Sequence, residues 1–482
     1  MSMDELEKRS FLNNLIVNNP KMIENNLKNN YVFLKERQLC LELKSYIDKF
    51  IEECNVNRYF IIPGIRGVGK TTILYQLYTY LCNEKNIEKN RILFLDLDRL
   101  KRDPDFELLS FLDIFLKQIN DEYYLTSTPL FIFVDESQYV DDWDLIGKIL
   151  YDENSNVFMI FTGSNALNLE ISADSSRRAI KKQLYPMNFR EYLNLKYDYN
   201  ISTEFTHEIM NTILTGEINT VTRHEKEIQI NDLLNLERNI DNEWIDFLQY
   251  GDLPLTIRQN KFDNIEKTTD IVDKIIEKDM DILSSITSTL RLSTYKLVTL
   301  LATQKPGDIS LNKLANILNI SKSSVENLLK ILEKTQLLFS IDAYGSPSKK
   351  IRTSSEYYFL STQIKASFFI DNGDLSRDPR QYLGILTENL VASTLYRLKN
   401  VCNNKYGISY DSKKGGVDFI ITTMNGKIIP IEVGIGKKNK KQIIKAINNY
   451  NSDYGIIISN TTNQIVKEEN IIYIPLVTFS LA

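Results

Sequence analysis

Four stretches in the first third of the chain run without a polar interruption. They are Tyr59-Phe60-Ile61-Ile62, Ile92-Leu93-Phe94-Leu95, Leu130-Phe131-Ile132-Phe133-Val134 and Val157-Phe158-Met159-Ile160-Phe161. Short runs that are apolar at every position suit the inner strands of a parallel sheet covered by helices on both faces. Helical spacing follows from Thr72-Ile73-Leu74-Tyr75-Gln76-Leu77 and again over 107–119. Residues 1–50 read as a polar, helical N-terminal segment whose last part leads into the first strand.

The pattern changes beyond residue 200. Residues 204–245 are charged and only weakly periodic, as in a helical insertion or lid. Further helices are expected near 265–290. Residues 310–332 read as two short helices joined at Asn319-Ile320-Ser321. Ser321 can cap the second of them, and Leu328, Leu329 and Leu332 form its apolar face. Two strand-like runs, 337–344 and 356–360, flank the basic stretch Ser346-Pro347-Ser348-Lys349-Lys350-Ile351-Arg352. Together these elements predict a winged helix-turn-helix. The expected division is 1–50, a nucleotide domain over 51–260 that contains the 204–245 insertion, a helical linker and winged helix over 261–375, and a C-terminal α/β domain over 376–482.

The turn after the first apolar run carries the clearest chemistry. Gly64-Ile65-Arg66-Gly67-Val68-Gly69-Lys70-Thr71 matches G-x-x-x-x-G-K-T between a strand and a helix. Glycines let backbone N–H groups curl around an anion, and the helix N-terminus adds its own positive field. Gly64, Gly67, Gly69, Lys70, Thr71 and Thr72 are the expected nucleotide contacts, with Lys70 on the β- and γ-phosphates and Thr71 on Mg2+. The third run ends in Asp135-Glu136. Asp135 is the expected metal partner and Glu136 the general base for an attacking water. The second run lies between the two motifs in sequence, so one more strand is expected between the strands that carry them. That arrangement, with a glutamate beside the metal aspartate, belongs to the ATPase branch, and a guanine-reading Asn-Lys-x-Asp motif is not expected, so ATP is favoured over GTP. The fourth run ends at Thr162-Gly163-Ser164-Asn165, and Thr162 or Ser164 is a candidate sensor of the γ-phosphate. Arg178, after Arg177, is a candidate for neutralising transition-state charge. If it acts from a neighbouring subunit, the protein is a homo-oligomer.

A weaker constellation lies near the C-terminus. Asp418 precedes the run Phe419-Ile420-Ile421, and Glu432 closes Ile428-Ile429-Pro430-Ile431, as in a hairpin. With Glu388 from the helix opened by 384–391, two or three carboxylates could hold Mg2+. A nuclease of this kind needs a lysine two residues after the glutamate, and that position is Gly434; Lys437 and Lys438 lie farther on. The outward residues of the second short helix, Lys322, Ser323, Asn327 and Lys330, would face DNA, with Lys349, Lys350 and Arg352 near phosphate.

Composition narrows the field. A chain of 482 residues exceeds one ordinary core, and 43% hydrophobic content is ample for burial. A net charge of -5 argues against a nucleic-acid-coating protein but allows a local basic face. Cys40, Cys54, Cys82 and Cys402 form no C-x-x-C pair, and His207 and His224 are the only histidines, so disulfide frameworks, zinc sites and histidine-activated nucleophiles are not expected. With no signal core at the N-terminus and no apolar stretch of about 20 residues, a cytoplasmic protein without a membrane span is expected.

These segments resemble a family of bacterial and archaeal AAA-type ATPases with a P-loop domain, a winged helix and a C-terminal domain like restriction endonucleases. The resemblance runs from about residue 35 to the end. It is carried by GIRGVGKTT, FIFVDESQ, FTGSNAL, SRRA with YPMNFREYL, YGDLP, LTENLVA, and GVDFII with IPIEV. It implies an ATPase in which Lys70 and Thr71 are nucleotide ligands, Asp135 the metal residue and Glu136 the catalytic acid. Two departures stand out. The family has glycine where Arg177 precedes Arg178, and Glu-Val-Lys where this chain has Glu432-Val433-Gly434. The expected activity is Mg2+-dependent ATP hydrolysis acting on, or regulated by, DNA. The alternatives are a slow nucleotide switch and an ATP-gated nuclease.

Overall fold

The apolar runs become one parallel sheet. In the computed structural model the described residues are 4–29, 32–53, 57–100, 106–125, 128–163, 177–229, 233, 236, 238–257, 259–280, 287–307, 310–371, 379–401, 406–436 and 440–482. They divide into two compact units, Met1–Tyr185 and Pro186–Ala482.

In the first unit the strands are β1 (Tyr59–Pro63), β2 (Ile92–Asp96), β3 (Leu130–Asp135), β4 (Val157–Gly163) and the short β5 (Ile180–Lys181). They pair in parallel in the order β2-β3-β4-β1-β5. The strand between the two motif strands is therefore β4. The run 92–96, expected in that place, lies at the sheet edge as β2. Chain order does not set sheet order here, because a helical crossover can skip a position and leave it for a later strand.

The helices of this unit are α1 (Glu5–Leu27), α2 (Gln38–Glu53), α3 (Lys70–Asn83), α4 (Leu108–Ile114) and α5 (Trp143–Glu153). Alternation along the strands sorts the core into two layers. Tyr59, Ile61, Leu93, Leu95, Ile132, Val134, Met159 and Phe161 pack with Leu12 and Ile16 of α1, with α4, and with Trp143, Ile146 and Leu150 of α5. On the other face Phe131 and Phe158 meet Phe50 of α2, and Phe94 meets Tyr75 of α3. Asp4 and Glu7 close a capping box that starts α1.

The second unit begins with α6 (Phe189–Tyr197), α7 (Glu204–Thr215), α8 (Asn219–Ile228) and α9 (Ile240–Tyr250). These helices cluster with the C-terminal residues. Buried hydrogen bonds are one cause: Glu225 accepts from Thr478 Oγ1 at 2.6 Å and from Ile465 N at 2.8 Å, and Trp244 Nε1 donates to Ser480 Oγ at 2.8 Å.

Next come α10 (Lys261–Lys274), α11 (Ser288–Thr303), α12 (Leu311–Leu318), α13 (Lys322–Lys334), β6 (Leu338–Ala343), α14 (Pro347–Arg352), β7 (Glu356–Phe359), α15 (Thr362–Asp371) and α16 (Pro379–Val401). The C-terminal strands are β8 (Tyr406–Tyr410), β9 (Phe419–Thr423), β10 (Ile428–Gly434), β11 (Gly455–Ser459), β12 (Val466–Glu468) and β13 (Ile471–Ile474), with α17 (Lys440–Tyr450) between β10 and β11. One sheet of eight strands results, in the order β12-β13-β11-β10-β9-β8-β6-β7. Ile420, Ile457 and Tyr473 on one of its faces pack under Ile443, Ala446 and Ile447 of α17.

Two glycines test this packing in opposite directions. A Cβ on Gly147 of α5 would lie 2.6 Å from Tyr59 Cζ, inside the fully buried layer, whereas one on Gly384 of α16 meets nothing within 4 Å. Gly147→Ala is expected to destabilise the chain by about 1–3 kcal/mol. Gly384→Ala is expected to stabilise it by about 0.5–1 kcal/mol, through loss of unfolded-state freedom. Denaturant midpoints of the two variants beside the parent chain read both effects.

Candidate nucleotide site

The loop between β1 and α3 uses its glycines for two reasons. Gly67 (φ 84°) and Gly69 (φ 96°) lie in the left-handed region, where a side chain is strained. Gly64 has no room, since a Cβ there would sit 2.7 Å from the Leu184 carbonyl oxygen. Gly64 N donates to the Gly163 carbonyl at 3.2 Å, and Arg37 Nη1 donates to the Val68 carbonyl at 2.8 Å. Lys70 opens α3 and is buried. Its Nζ donates to Gly64 O at 2.7 Å and Ile65 O at 3.3 Å, so the ammonium lies folded against the loop. Thr72, half-buried, follows on the same first turn of α3.

Asp135 ends β3, buried between two hydroxyls. Thr71 Oγ1 donates to Asp135 Oδ2 at 2.6 Å, and Thr162 Oγ1 from β4 donates to Asp135 Oδ1. Burial holds the Asp135 carboxyl above the usual carboxylate range, and the charge of Glu136 adds to this. The bonds from Thr162 and Thr71 and the Lys70 charge work the other way. A nearby cation would complete this neutralisation. The donor set, one hydroxyl and one carboxylate at hydrogen-bond distance, fits a hard cation such as Mg2+ that keeps phosphate and water oxygens for its remaining positions. In agreement, among the described residues no group of three or more His, Cys, Asp or Glu side chains could hold a metal by itself.

Glu136 leaves the strand in a left-handed conformation, φ 56° and ψ 44°. For a side chain with a Cβ this costs about 1–2 kcal/mol, strain of a kind that gathers at functional sites. Its carboxylate accepts from the Gln138 side-chain amide. Loop, Lys70, Thr71, Asp135, Glu136 and Thr162 are thus brought together at one end of the sheet. Ser164 lies outside the described residues. Arg178 does not join the group: its Nε pairs with Asp152 Oδ1 at 2.5 Å. Ile180 of β5 stands level with Phe60 of β1, so Arg178 lies toward the amino edge of the sheet, opposite the loop. Sequence reasoning passed over Arg37 and Gln138, because neither belongs to the strand-and-loop pattern.

The C-terminal carboxylates form a different arrangement from the expected metal set. The register pairs Phe419 with Ile431, which sets Asp418 across from Glu432, and Val433 N donates to Asp418 Oδ2 at 2.7 Å. Glu388 of α16 accepts from Tyr358 Oη at 3.3 Å. Lys305 brings its ammonium 3.5 Å from Glu388 Oε2 and 3.9 Å from Asp418 Oδ1. Glu388 is buried and Asp418 half-buried, and the half-exposed lysine brings a counter-charge to both. Burial and the Asp418 charge hold Glu388 well above the carboxylate range. Lys365, fully buried beneath it, donates to the Leu301 carbonyl at 3.0 Å and is pushed down to about 7 by burial. Gly434 ends β10, and Lys437 and Lys438 lie outside the described residues.

The helix pair 311–334 turns at Asn319 (φ 54°), and Ser324 N donates to Ser321 Oγ at 3.0 Å. Lys322, Ser323, Asn327 and Lys330 are exposed on α13. The expected wing is altered. β6 and β7 are antiparallel, but β6 also pairs with β8, and Lys349, Lys350 and Arg352 sit on the short helix α14. Asn260-Lys261-Phe262-Asp263 matches the guanine-reading pattern Asn-Lys-x-Asp. In the fold it is a helix start: Asn260 Oδ1 accepts from Asp263 N at 3.0 Å, and Lys261 pairs with Asp246 at 2.6 Å.

Comparison with known proteins agrees with the first unit. The AAA domain family matches residues 56–193, and two domains of unknown function, DUF8612 and DUF4143, match 242–368 and 383–479. An uncharacterised protein of Methanocaldococcus jannaschii is 36% identical over 90% of this chain and 86% of its own length. A second from the same organism is 25% identical over 81% and 78%, and one from Haemophilus influenzae 22% over 67% and 72%. Among solved structures, the Aeropyrum pernix ORC1 protein in complex with DNA aligns with 73% of this chain and 97% of its own, at 9% identity and a TM-score of 0.32. AMPPCP-bound DnaA from Aquifex aeolicus aligns with 64% and 92%, at 15% identity and a TM-score of 0.25. Scores this low carry no weight for the fold as a whole. The chain belongs to the same family as the first M. jannaschii protein and carries an AAA domain over residues 56–193.

Proposed function

We propose that this chain binds ATP with Mg2+ and hydrolyses it. The observation that supports this best is the Thr71–Asp135–Thr162 hydrogen-bonded group beside Lys70 at the phosphate loop. Lys70 turns from the loop carbonyls to the β- and γ-phosphates when nucleotide enters. Thr71 and Asp135 would hold Mg2+, which when bound neutralises charge on the phosphate oxygens. Glu136, held at the end of β3, accepts a proton from the attacking water. Thr162, which bridges Asp135 to the neighbouring strand, would sense the γ-phosphate. Arg178 is read as serving another copy of the chain, which its place at the far edge of the sheet supports.

A second part of the reading concerns DNA. The helix pair α12–α13 with β6 and β7 is read as a modified winged helix whose exposed Lys322, Ser323, Asn327 and Lys330 face a duplex. The C-terminal sheet is read as a restriction-endonuclease-like domain that has lost its metal chemistry, supported by the Lys305 bridge and Gly434.

Glu136→Gln is expected to retain ATP affinity and lose roughly 10²–10⁴-fold in turnover. Wild-type turnover in that variant would remove Glu136 from the chemistry. Lys70→Ala is expected to weaken ATP binding about 10- to 100-fold, the value of a charge-assisted bond. Unchanged affinity by calorimetry rejects the phosphate-loop role. Lys322→Ala and Lys330→Ala should each weaken duplex DNA binding and reduce its salt slope by about 1; equal slopes for variants and parent place the DNA contact elsewhere. Plasmid incubated with Mg2+ or Mn2+ and ATP is expected to stay intact, and nicking would restore the nuclease reading.

A further inference from the structure

The turn that follows Glu136 connects three parts of the nucleotide site. Ser137–Tyr139 forms a single turn of 3-10 helix, and its three side chains reach three partners. Ser137 Oγ donates to the Thr162 carbonyl at 2.5 Å, on the strand whose hydroxyl already bonds Asp135. The Gln138 amide donates to the Glu136 carboxylate. The Tyr139 hydroxyl accepts from Arg66 Nη2 at 3.3 Å, and Arg66 belongs to the phosphate loop. Ser137 and Gln138 are buried, and the Ser137–Thr162 bond is shielded from water, while Glu136 and Tyr139 are half-buried.

A glutamate can act as general base only while its carboxylate stays within hydrogen-bond reach of the water. Left to itself, the side chain samples several rotamers. An amide donor on a carboxylate oxygen selects one of them. The left-handed backbone at Glu136 brings the Gln138 side chain back toward it across the tight turn.

We propose that Gln138 is the positioning residue for Glu136, and that the Arg66–Tyr139 contact couples that position to the phosphate loop. This rests on the ATPase reading above. The turn is then the point where occupancy of the loop and readiness of the base meet.

The test measures kcat, KM and ATP affinity of the full chain for Gln138→Met, for Gln138→Ala, and for Gln138→Met combined with Glu136→Gln. Tyr139→Phe is measured alongside. Gln138→Met is expected to lower kcat roughly 10- to 100-fold through misplacement of the base, with ATP affinity changed less than about threefold. In the Glu136→Gln background it should cause no further loss, because both act through one carboxylate. Gln138→Ala supplies the same readout if the methionine variant does not fold. Tyr139→Phe is expected to lower kcat about twofold to tenfold, the value of one hydrogen bond. Parental turnover in a folded Gln138 variant, or an additional loss on top of Glu136→Gln, overturns the positioning role while ATP hydrolysis by the parent chain stands. Unchanged kcat in Tyr139→Phe overturns the coupling to the loop. Absence of hydrolysis by the parent chain removes the ATPase reading, and this proposal with it.

Discussion

The nucleotide site depends on the parallel ladder that runs from β1 through β4 to β3. Its register sets Pro63 level with Gly163, and Val134 level with Phe161. Adjacent strands lie about 4.8 Å apart, a separation that one threonine side chain can span. Thr162 therefore reaches Asp135 across the gap, while Gly64 N bonds Gly163 O on the other side. The glycine loop, the buried acid and the hydroxyl between them are held at one height by backbone bonds that none of their side chains makes.

The surroundings of that ladder explain why the Asp135 carboxyl is held above the usual carboxylate range. The strands are apolar on both faces, so Asp135 ends a strand inside a low-dielectric layer. Two hydroxyls and the Lys70 charge offset part of the penalty of keeping it ionised, and burial still prevails. On the proposed reading, a positive charge supplied with the nucleotide would remove that imbalance. The strain at Glu136 belongs to the same economy of position, since the chain must turn sharply there to aim a second carboxylate.

The second unit meets a similar electrostatic problem with a different answer. The buried Glu388 and the half-buried Asp418 lie close together, and Lys305 places an ammonium near both. Lys365 beneath them is buried with its hydrogen bond to a helix carbonyl. Lysine on a flexible stem can neutralise carboxylates without the ordered oxygen shell a metal requires. The carboxylates expected to bind metal are thus part of an ion network internal to the unit, in which the connection before α12 is tied to the C-terminal sheet.

Local patterns were legible in the residues themselves. G-x-x-x-x-G-K-T, the apolar runs with Asp135 at the end of one, Ser321 as a cap and the hairpin that sets Asp418 opposite Glu432 all depend on neighbours a few residues apart or on one register. Four features were not legible. They are the place of β4 between the motif strands, Arg178 at the far edge beside Asp152, Lys305 arriving among carboxylates more than 80 residues away in sequence, and β6 shared between a small hairpin and a large sheet. Each is a contact between segments that carry no mark of one another, selected by which surfaces can be buried together. Sequence alone marked the groups proposed to carry the chemistry, because their types and spacing follow from backbone geometry over one turn. Only the tertiary structure decided which of them meet, because burial and strand order are properties of the whole chain.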